Sequence, residues 1–343
     1  MARNSEMLRF ILRRVMGALP LLVGVGVFTF ILVRVLPGDP AAYYATGPMA
    51  TQEEIAQVRS SLGLDRPLPE QLVRYFKDVS VGDLGRSLVT GQLVSSDLRE
   101  RLPASLELTM VAMLIALAVS IPLGVVAAIR AGSWVDHLAR LIGTLGVAMP
   151  AFVAGIVLIF IFYFKLGLTP EPIDRIDPFT LKPPVVTGLL LIDSLLAGNV
   201  EAFRSALAHL LLPALTMAVI VVAPLMRMTR ASMIAVLASD FIRTARAAGM
   251  GWWKVYVSYG LRNALVPVLT TIGLVVSYQL GANVVVEKVF AWPGVGSYAL
   301  NSLLATDYAP VQGYVLLMAG IYVVINTAVD ILHALTDPRV RIQ

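Results

Sequence analysis

The sequence predicts an all-α polytopic membrane protein of six transmembrane helices with both termini in the cytoplasm. Three observations predict it: a strongly apolar composition, six apolar runs of spanning length, and an uneven distribution of Lys and Arg between the connecting segments. Of 343 residues, 57% are hydrophobic and 14% charged, and mean hydropathy is +0.79. A soluble domain would carry about 25% charged residues. Cysteine is absent, which excludes disulfides, iron–sulfur clusters and thiolate zinc sites. The net charge of +5 reflects topology, since in a membrane protein the positions of charges matter more than their sum. No nucleic-acid partner is expected.

A helix needs about 20 apolar residues to cross the hydrocarbon layer. Runs of that kind cover 10–36, 104–129, 141–164, 208–228, 264–286 and 311–332. The first has a long core, and Arg34 followed by "PGDP" is a poor cleavage site, so it reads as a retained helix rather than a signal peptide. A seventh run, 185–200, is short and interrupted by Asp193, and is expected as an interfacial or extracellular helix. The segments 1–14, 130–140, 227–262 and 333–343 hold 14 Lys and Arg in 72 residues, against 12 in 134 for 37–103, 165–207 and 286–309. The positive-inside rule therefore puts the first set in the cytoplasm. The chain then divides into an N-terminal segment with the first span (1–36), an extracytoplasmic loop (37–103) and a core of five spans (104–343). The acids and Pro/Gly punctuation of 37–103 suit a folded polar cap.

Charges inside the spans are few. Glu107 and Asp330 lie near span ends and are expected to snorkel to the interface. Ser120, Ser277, Gln279 and Asn326 can line a path or join helices, and joining is the simpler role. Pro20, Pro122, Pro150, Pro213, Pro224 and Pro267 permit kinks, and Ala151 with Gly155 has the spacing that lets helices approach closely. No phosphate-binding G-x-x-x-x-G-K-[ST], H-E-x-x-H or G-x-S-x-G motif occurs. His137, His209 and His333 lie far apart near membrane boundaries. An energy source, if there is one, belongs to another chain.

The stretch "DFIRTARAAGMGWWKVYVSYGLRNALVP" (240–267) is basic and glycine-dotted between two spans. Ser239 and Asp240 can cap a short helix over 241–248, and Gly249 stands where a helix ends in the left-handed conformation. A second helix from about Trp252 leads into the fifth span, with Pro267 in its first turns. Small Ala245, Ala247 and Ala248 beside Arg243 and Arg246 make a surface another protein could approach. A loop lying on lipid headgroups, aided by Trp252 and Trp253, fits these residues equally well.

The segment resembles the EAA loop of ABC importer permeases, in the form used by the dipeptide/oligopeptide permease family. The matching residues are Asp240, Arg243, Thr244, Ala245, Arg246, Ala247 and Gly249, then Leu261 to Ala264 and Pro267. Ala248 stands where the family often has a basic residue. The resemblance extends along the chain through "MLRFILRRV" (7–15), "PGDP" (37–40), "GDLGRSL" (82–88), "RLPASLEL" (101–108), "RMTRASM" (227–233), "EKVFAWPGVG" (287–296), Asp307, Pro310 and "DPRVR" (337–341). It implies a type I ABC importer permease fold (MetI-like) in a bacterial inner membrane. It further implies a coupling loop at about 239–267, with Asp240, Arg243, Thr244, Ala245, Arg246, Ala247, Ala248 and Gly249 contacting an ATPase. The implied partners are a second homologous permease, two cytoplasmic ATP-binding subunits and an extracytoplasmic substrate-binding protein. ATP and Mg would belong to the partner subunits, and this chain would have no cofactor and no enzymatic activity. The resemblance tilts the cargo toward dipeptides and short oligopeptides, with nickel chelates, haem and other peptide-like solutes as alternatives. A stand-alone secondary transporter is the rival from another class. It would need intramembrane ion ligands and often inverted repeats, and neither is visible. The substrate path is left open.

Overall fold

The computed structural model describes residues 2–35, 41, 51–61 and 63–336. The expected motifs at 37–40 and 337–341, the side chains of 7–15 and that of His333 fall outside the residues described. Helices in chain order are α1 (Ala2–Val35), α2 (Gln52–Ser61), α3 (Leu68–Ser80), α4 (Val94–Ile129), α5 (Trp134–Ala148), α6 (Ala151–Leu158), α7 (Leu190–Leu196), α8 (Val200–Leu237) and α9 (Asp240–Ala247). They are followed by α10 (Arg262–Val289), α11 (Val295–Leu304) and α12 (Tyr308–Thr336). Two π-helical stretches, Ile159–Lys165 and Lys254–Leu261, continue α6 and precede α10. No strand occurs among the described residues; one isolated bridge joins Arg86 and Leu93.

All six apolar runs fall on helices. Five stretches, Met16–Val35, Val94–Ile129, Val200–Leu237, Lys254–Val289 and Tyr308–Ile331, are long and apolar enough to cross a membrane singly. The third expected span is instead a helix pair bent by 106° between Gly146 and Ala151. Met149 there is extended (φ −93, ψ 120), because a following proline disfavours helical backbone at the preceding residue. Pro150, without an N–H, then starts α6. Hydropathy also understated several lengths. α4 begins ten residues before the expected boundary because its first turns carry Asp97, Arg99, Glu100 and Arg101. A backbone hydrogen-bond ladder does not stop where the side chains turn polar.

The described chain forms two compact units, Met1–Pro103 with Pro293–Val324, and Ala104–Trp292 with Ile325–Gln343. In the first, α1 packs on α3 through Phe30 and Tyr75, whose ring centroids are 5.6 Å apart. Val94, Leu98, Val295 and Tyr298 form its core. The Tyr298 hydroxyl donates to Asp97 Oδ2 at 2.8 Å, which also accepts from Thr90 Oγ1 at 2.6 Å. Burial, then this carboxylate partner, pushes the Tyr298 pKa up.

In the second unit, Ala104, Leu108 and Ala112 of α4 pack with Leu210 and Met217 of α8 and with Phe290 and Trp292. The Trp292 indole donates to the Ala104 carbonyl at 3.0 Å, so this buried aromatic has its polar edge satisfied. Gly155 lies against Phe290 as its spacing suggested, with only 3.2 Å between an added Cβ and the ring. Helices also approach closely at Gly124 on α4, where a Cβ would sit 2.7 Å from Thr229 Cβ and 2.9 Å from the Met226 carbonyl. Gly124→Val is expected to destabilise by about 1–3 kcal/mol through overpacking. It should lower the thermal midpoint in detergent, whereas Gly24→Ala, which meets nothing within 4 Å, should not.

Candidate functional site

α8 runs 38 residues and ends at Leu237, two residues before α9. Ser239 occupies the N-cap position with extended backbone, but its Oγ donates back to the Val236 carbonyl at 2.5 Å and caps nothing. Asp240, the first helical residue, pairs instead with Arg243 at 3.2 Å in open solvent. The other end follows expectation closely. Gly249 has φ +70, its N–H donates to the Arg246 carbonyl at 3.0 Å, and Met250 N–H donates to the Ala245 carbonyl at 3.2 Å. That pair of bonds is a Schellman cap, which needs the left-handed residue that glycine adopts without a Cβ penalty.

Two turns of helix cannot bury much, so α9 is held by one face. Ile242 and Ala245, three residues apart, are buried against Val255 with Val236, Leu237 and Tyr256 around them. Ala245 is 7% exposed, so it belongs to this internal contact. Arg243, Thr244, Arg246, Ala247, Ala248 and Gly249 are exposed. The Arg246 guanidinium lies 5.4 Å from the Tyr256 ring centroid, a cation–π distance. Phe241, Met250, Trp252 and Trp253 add exposed apolar surface. The second helix does start at Trp252, but its Lys254–Leu261 stretch is π-helical, a local widening that residue periodicity did not signal.

A feature the sequence reading missed lies in the same unit. Asp136, in the first turn of α5, is 1% exposed. Its two oxygens accept from Arg230 Nε and Nη2 of α8 at 2.5 and 2.8 Å. Gly132 N–H adds a third bond at 3.0 Å, and Arg140 lies 3.7 Å away. A bidentate guanidinium–carboxylate pair fixes orientation as well as distance. It ties the 130–133 turn and α5 to α8, seven residues before α8 ends. The available signal was an acid alone in the basic segment "RAGSWVDHLAR".

Glu107 does not snorkel. It is 4% exposed and accepts from Arg175 Nη2 at 2.7 Å and Leu191 N–H at 2.8 Å. Arg175 also donates to the Gly188 carbonyl at 3.1 Å, so the pair pins the 166–199 connection to α4. Sequence reading missed this because the partner is 68 positions away. Asp330 is partly buried near the end of α12. Ser277 bonds back to its own helix at Gly273. Ser120 and Gln279 are buried with no hydrogen-bond partner, so neither joins helices by a direct bond, and Asn326 is partly buried. His137 and His209 bond within their own helical turns. Among the described residues no group of His, Cys, Asp or Glu could hold a metal.

The run at 185–200 contains a helix only over α7 (Leu190–Leu196). Burial pushes the Asp193 pKa up. Bonds from Thr187 N–H (2.8 Å), the Thr187 hydroxyl (2.7 Å), Gly188 N–H (2.9 Å) and Val186 N–H (3.3 Å) outweigh it and hold the carboxyl below 3.8. A depressed folded pKa stabilises above the unfolded value, and that stability is lost as pH falls through the folded value. Amide-exchange protection at Thr187 and Gly188 is therefore expected to hold at pH 7 and to be lost only as pH falls below the ordinary carboxylate range. Asp193→Asn should abolish that pH dependence.

The sequence pattern of the family described as "Binding-protein-dependent transport system inner membrane component" matches residues 120–342, and its N-terminal counterpart matches 7–109. The chain belongs to this family. Full-length relatives agree. The chain is 42% identical over 328 residues to the probable D,D-dipeptide transport system permease protein DdpB of Escherichia coli K12, covering 96% of each. It is 40% identical to the dipeptide transport system permease protein DppB of the same organism, covering 98% of this chain and 99% of that one. It is 39% identical to the di/tripeptide transport system permease protein DppB of Pseudomonas aeruginosa UCBPP-PA14, covering 98% and 100%. This binding-protein-dependent permease is thus an inner-membrane component whose described residues are helical, with five helices long and apolar enough to span singly and one bent pair. Its α9 loop and Asp136–Arg230 pair lie within the larger match, while the Glu107–Arg175 pair joins a residue of the N-terminal match to one of the larger.

Proposed function

We propose that this chain is the membrane permease subunit of an ATP-driven importer of dipeptides and short oligopeptides, and that α9 is the helix through which it is driven. The relatives named above supply the peptide substrate. The observation that carries the coupling role is the two-faced construction of α9. Ile242 and Ala245 anchor it to its own chain, while Phe241, Thr244, Ala247 and Ala248 face outward. An ATPase docked on that outer face closes when ATP binds and draws the loop with it. Swinging a bundle from 1:99 to 99:1 takes about 5.5 kcal/mol of differential binding, so the loop must be firmly fixed at both surfaces. The Schellman cap and the buried inner face meet that need on this side.

The basic end carrying α9 then faces the cytoplasm, with both termini there, and the binding protein delivers its cargo to the opposite side. A second, homologous permease completes the path, and two ATP-binding subunits hold ATP and Mg and carry out the hydrolysis. The test is copurification of the tagged chain in mild detergent, with peptide-stimulated ATPase activity of whatever comes with it. A second permease and ATP-binding subunits in near-equal amounts support the reading. A chain that emerges alone and stable overturns it.

A further inference from the structure

The connection that leads into α8 carries "DPFTLKPPVVTG" (177–188). Within it Phe179 is 97% exposed, Leu181 84%, Val185 85% and Val186 70%. Four large apolar side chains in eight residues stand almost clear of their own chain. The backbone beneath them is tied down. Asp177 N–H donates to Ser205 Oγ of α8 at 2.9 Å, and Asp177 Oδ1 accepts from Phe179 N–H at 2.8 Å. Asn199 Nδ2 donates to the Leu181 carbonyl at 3.3 Å, and Val186 N–H donates to Asp193 Oδ2 at 3.3 Å. Pro178, Pro183 and Pro184 each fix φ, and Ile176 is buried. A segment held in this way displays its apolar side chains, and an exposed apolar patch of that kind marks an interaction site.

α8 measures how far the patch stands from lipid. The apolar run of α8 begins at 208. Ser205, which holds Asp177, is three residues further out, about 4–5 Å along the helix. Asn199, which holds Leu181, is nine residues out, about 14 Å. The segment therefore climbs away from the hydrocarbon as it runs from 177 to 181. The headgroup layer is only about 5–8 Å thick on each side, so Leu181 stands beyond it. Lipid does not reach this height, and the cover has to come from a protein.

Two observations choose among the partners. The segment sits at the start of α8, whereas α9 follows its other end, 38 residues of helix away. A subunit docked on α9 cannot also cover 179–186. A permanent permease partner would need an interface of about 2,000 Å² or more, apolar like a core. Here the apolar side chains are few and bordered by charge, with Lys182 Nζ 3.4 Å from Asp174 Oδ2 and both partly exposed. Apolar anchors inside a polar rim suit a partner that binds and leaves. We propose that Phe179, Leu181, Val185 and Val186 form a docking surface for the extracytoplasmic substrate-binding protein. The proposal rests on the importer reading above and gives its delivering partner a place on this chain.

The test uses the complex of this chain with its copurified permease and ATP-binding subunits in nanodiscs. The probe is the substrate-binding protein that stimulates wild-type ATPase activity in the presence of Ala-Phe. Phe179→Asp combined with Leu181→Asp should raise the binding-protein concentration for half-maximal stimulation at least about tenfold, the loss of one interface anchor. Basal ATPase activity and size-exclusion elution should stay at wild-type values, because both side chains project from the chain. Phe179→Leu, which keeps an apolar side chain, should retain most of the stimulation. A photoreactive benzophenone at position 179 should cross-link to the binding protein. An unchanged concentration dependence in the double variant, or a cross-link to the second permease or to lipid instead, overturns the surface, while uptake of Ala-Phe by wild type leaves the functional reading standing. If no binding protein stimulates the wild-type complex, both fall.

Discussion

A chain carrying Ala247→Glu is expected to reach the membrane at wild-type levels and to support uptake at least about a hundredfold lower, a loss of about 2.7 kcal/mol in coupling. Ala247 is exposed on the outer face of α9, so the longer side chain disturbs nothing in its own chain. A glutamate in the last turn opposes the helix dipole by only about 0.3–1 kcal/mol. On the proposed coupling role the cost falls on docking, where a methyl group becomes a charged side chain on the face offered to the ATPase. Gly249→Glu should act similarly and also forces a side chain into the φ +70 conformation, which a residue with a Cβ resists. Ala245→Glu is the contrasting control. Ala245 faces Ile242 and Val255, so its replacement should loosen α9 from its own chain and expose the loop to proteolysis. Radiolabelled dipeptide uptake, with membrane abundance measured on the same cells, checks all three. Normal uptake by Ala247→Glu would remove α9 from the coupling path.

Asp136→Ala should destabilise the second unit by about 3 kcal/mol, the lower end of the range for breaking a buried pair. The lower end applies because the Arg230 side chain keeps 24% of its exposure and can recover some hydration. The guanidinium would lose both bonds of its fork, and Gly132 N–H would lose its acceptor. Arg230→Ala in the Asp136→Ala background should cost little more, since the charge that suffered is gone. A double-mutant cycle on thermal unfolding in detergent should therefore return about 1–3 kcal/mol of coupling. Additive losses would mean that the two side chains act separately. Because the pair ties α5 and its preceding turn to the last turns of α8, the single variants should also lower uptake more than their stability loss accounts for.

Much of this was open to inspection in the linear sequence because the signals are short-range. Apolar runs of about 20 residues read directly as spans, and all six lie on helices. The left-handed stop at Gly249 and the α9 helix before it depend on residues within one turn of each other, so local chemistry sufficed. The same locality explains the near misses. Hydropathy placed the start of α4 at 104 because it registers which side chains suit lipid, not where backbone bonding ends. Ser239 has the right residue type for a cap, but its hydroxyl found a nearer acceptor at Val236.

What the sequence by itself determined is the class of molecule: a helical inner-membrane permease, with a short capped helix in a basic connection. Tertiary structure alone decided which polar groups meet. Asp136 finds Arg230 across 94 positions, Glu107 finds Arg175 across 68, and Ser87 finds Asp307 across 220. It also decided that Ala245 faces inward while Ala247 faces out, that the third span bends at Pro150, and that Asp307 keeps one oxygen without a donor. The physical reason is the same in each case. Hydrophobicity and helix stops act through neighbouring residues, whereas a buried charge is satisfied by whichever donor the packed helices bring within 3 Å, and no spacing in the chain records that.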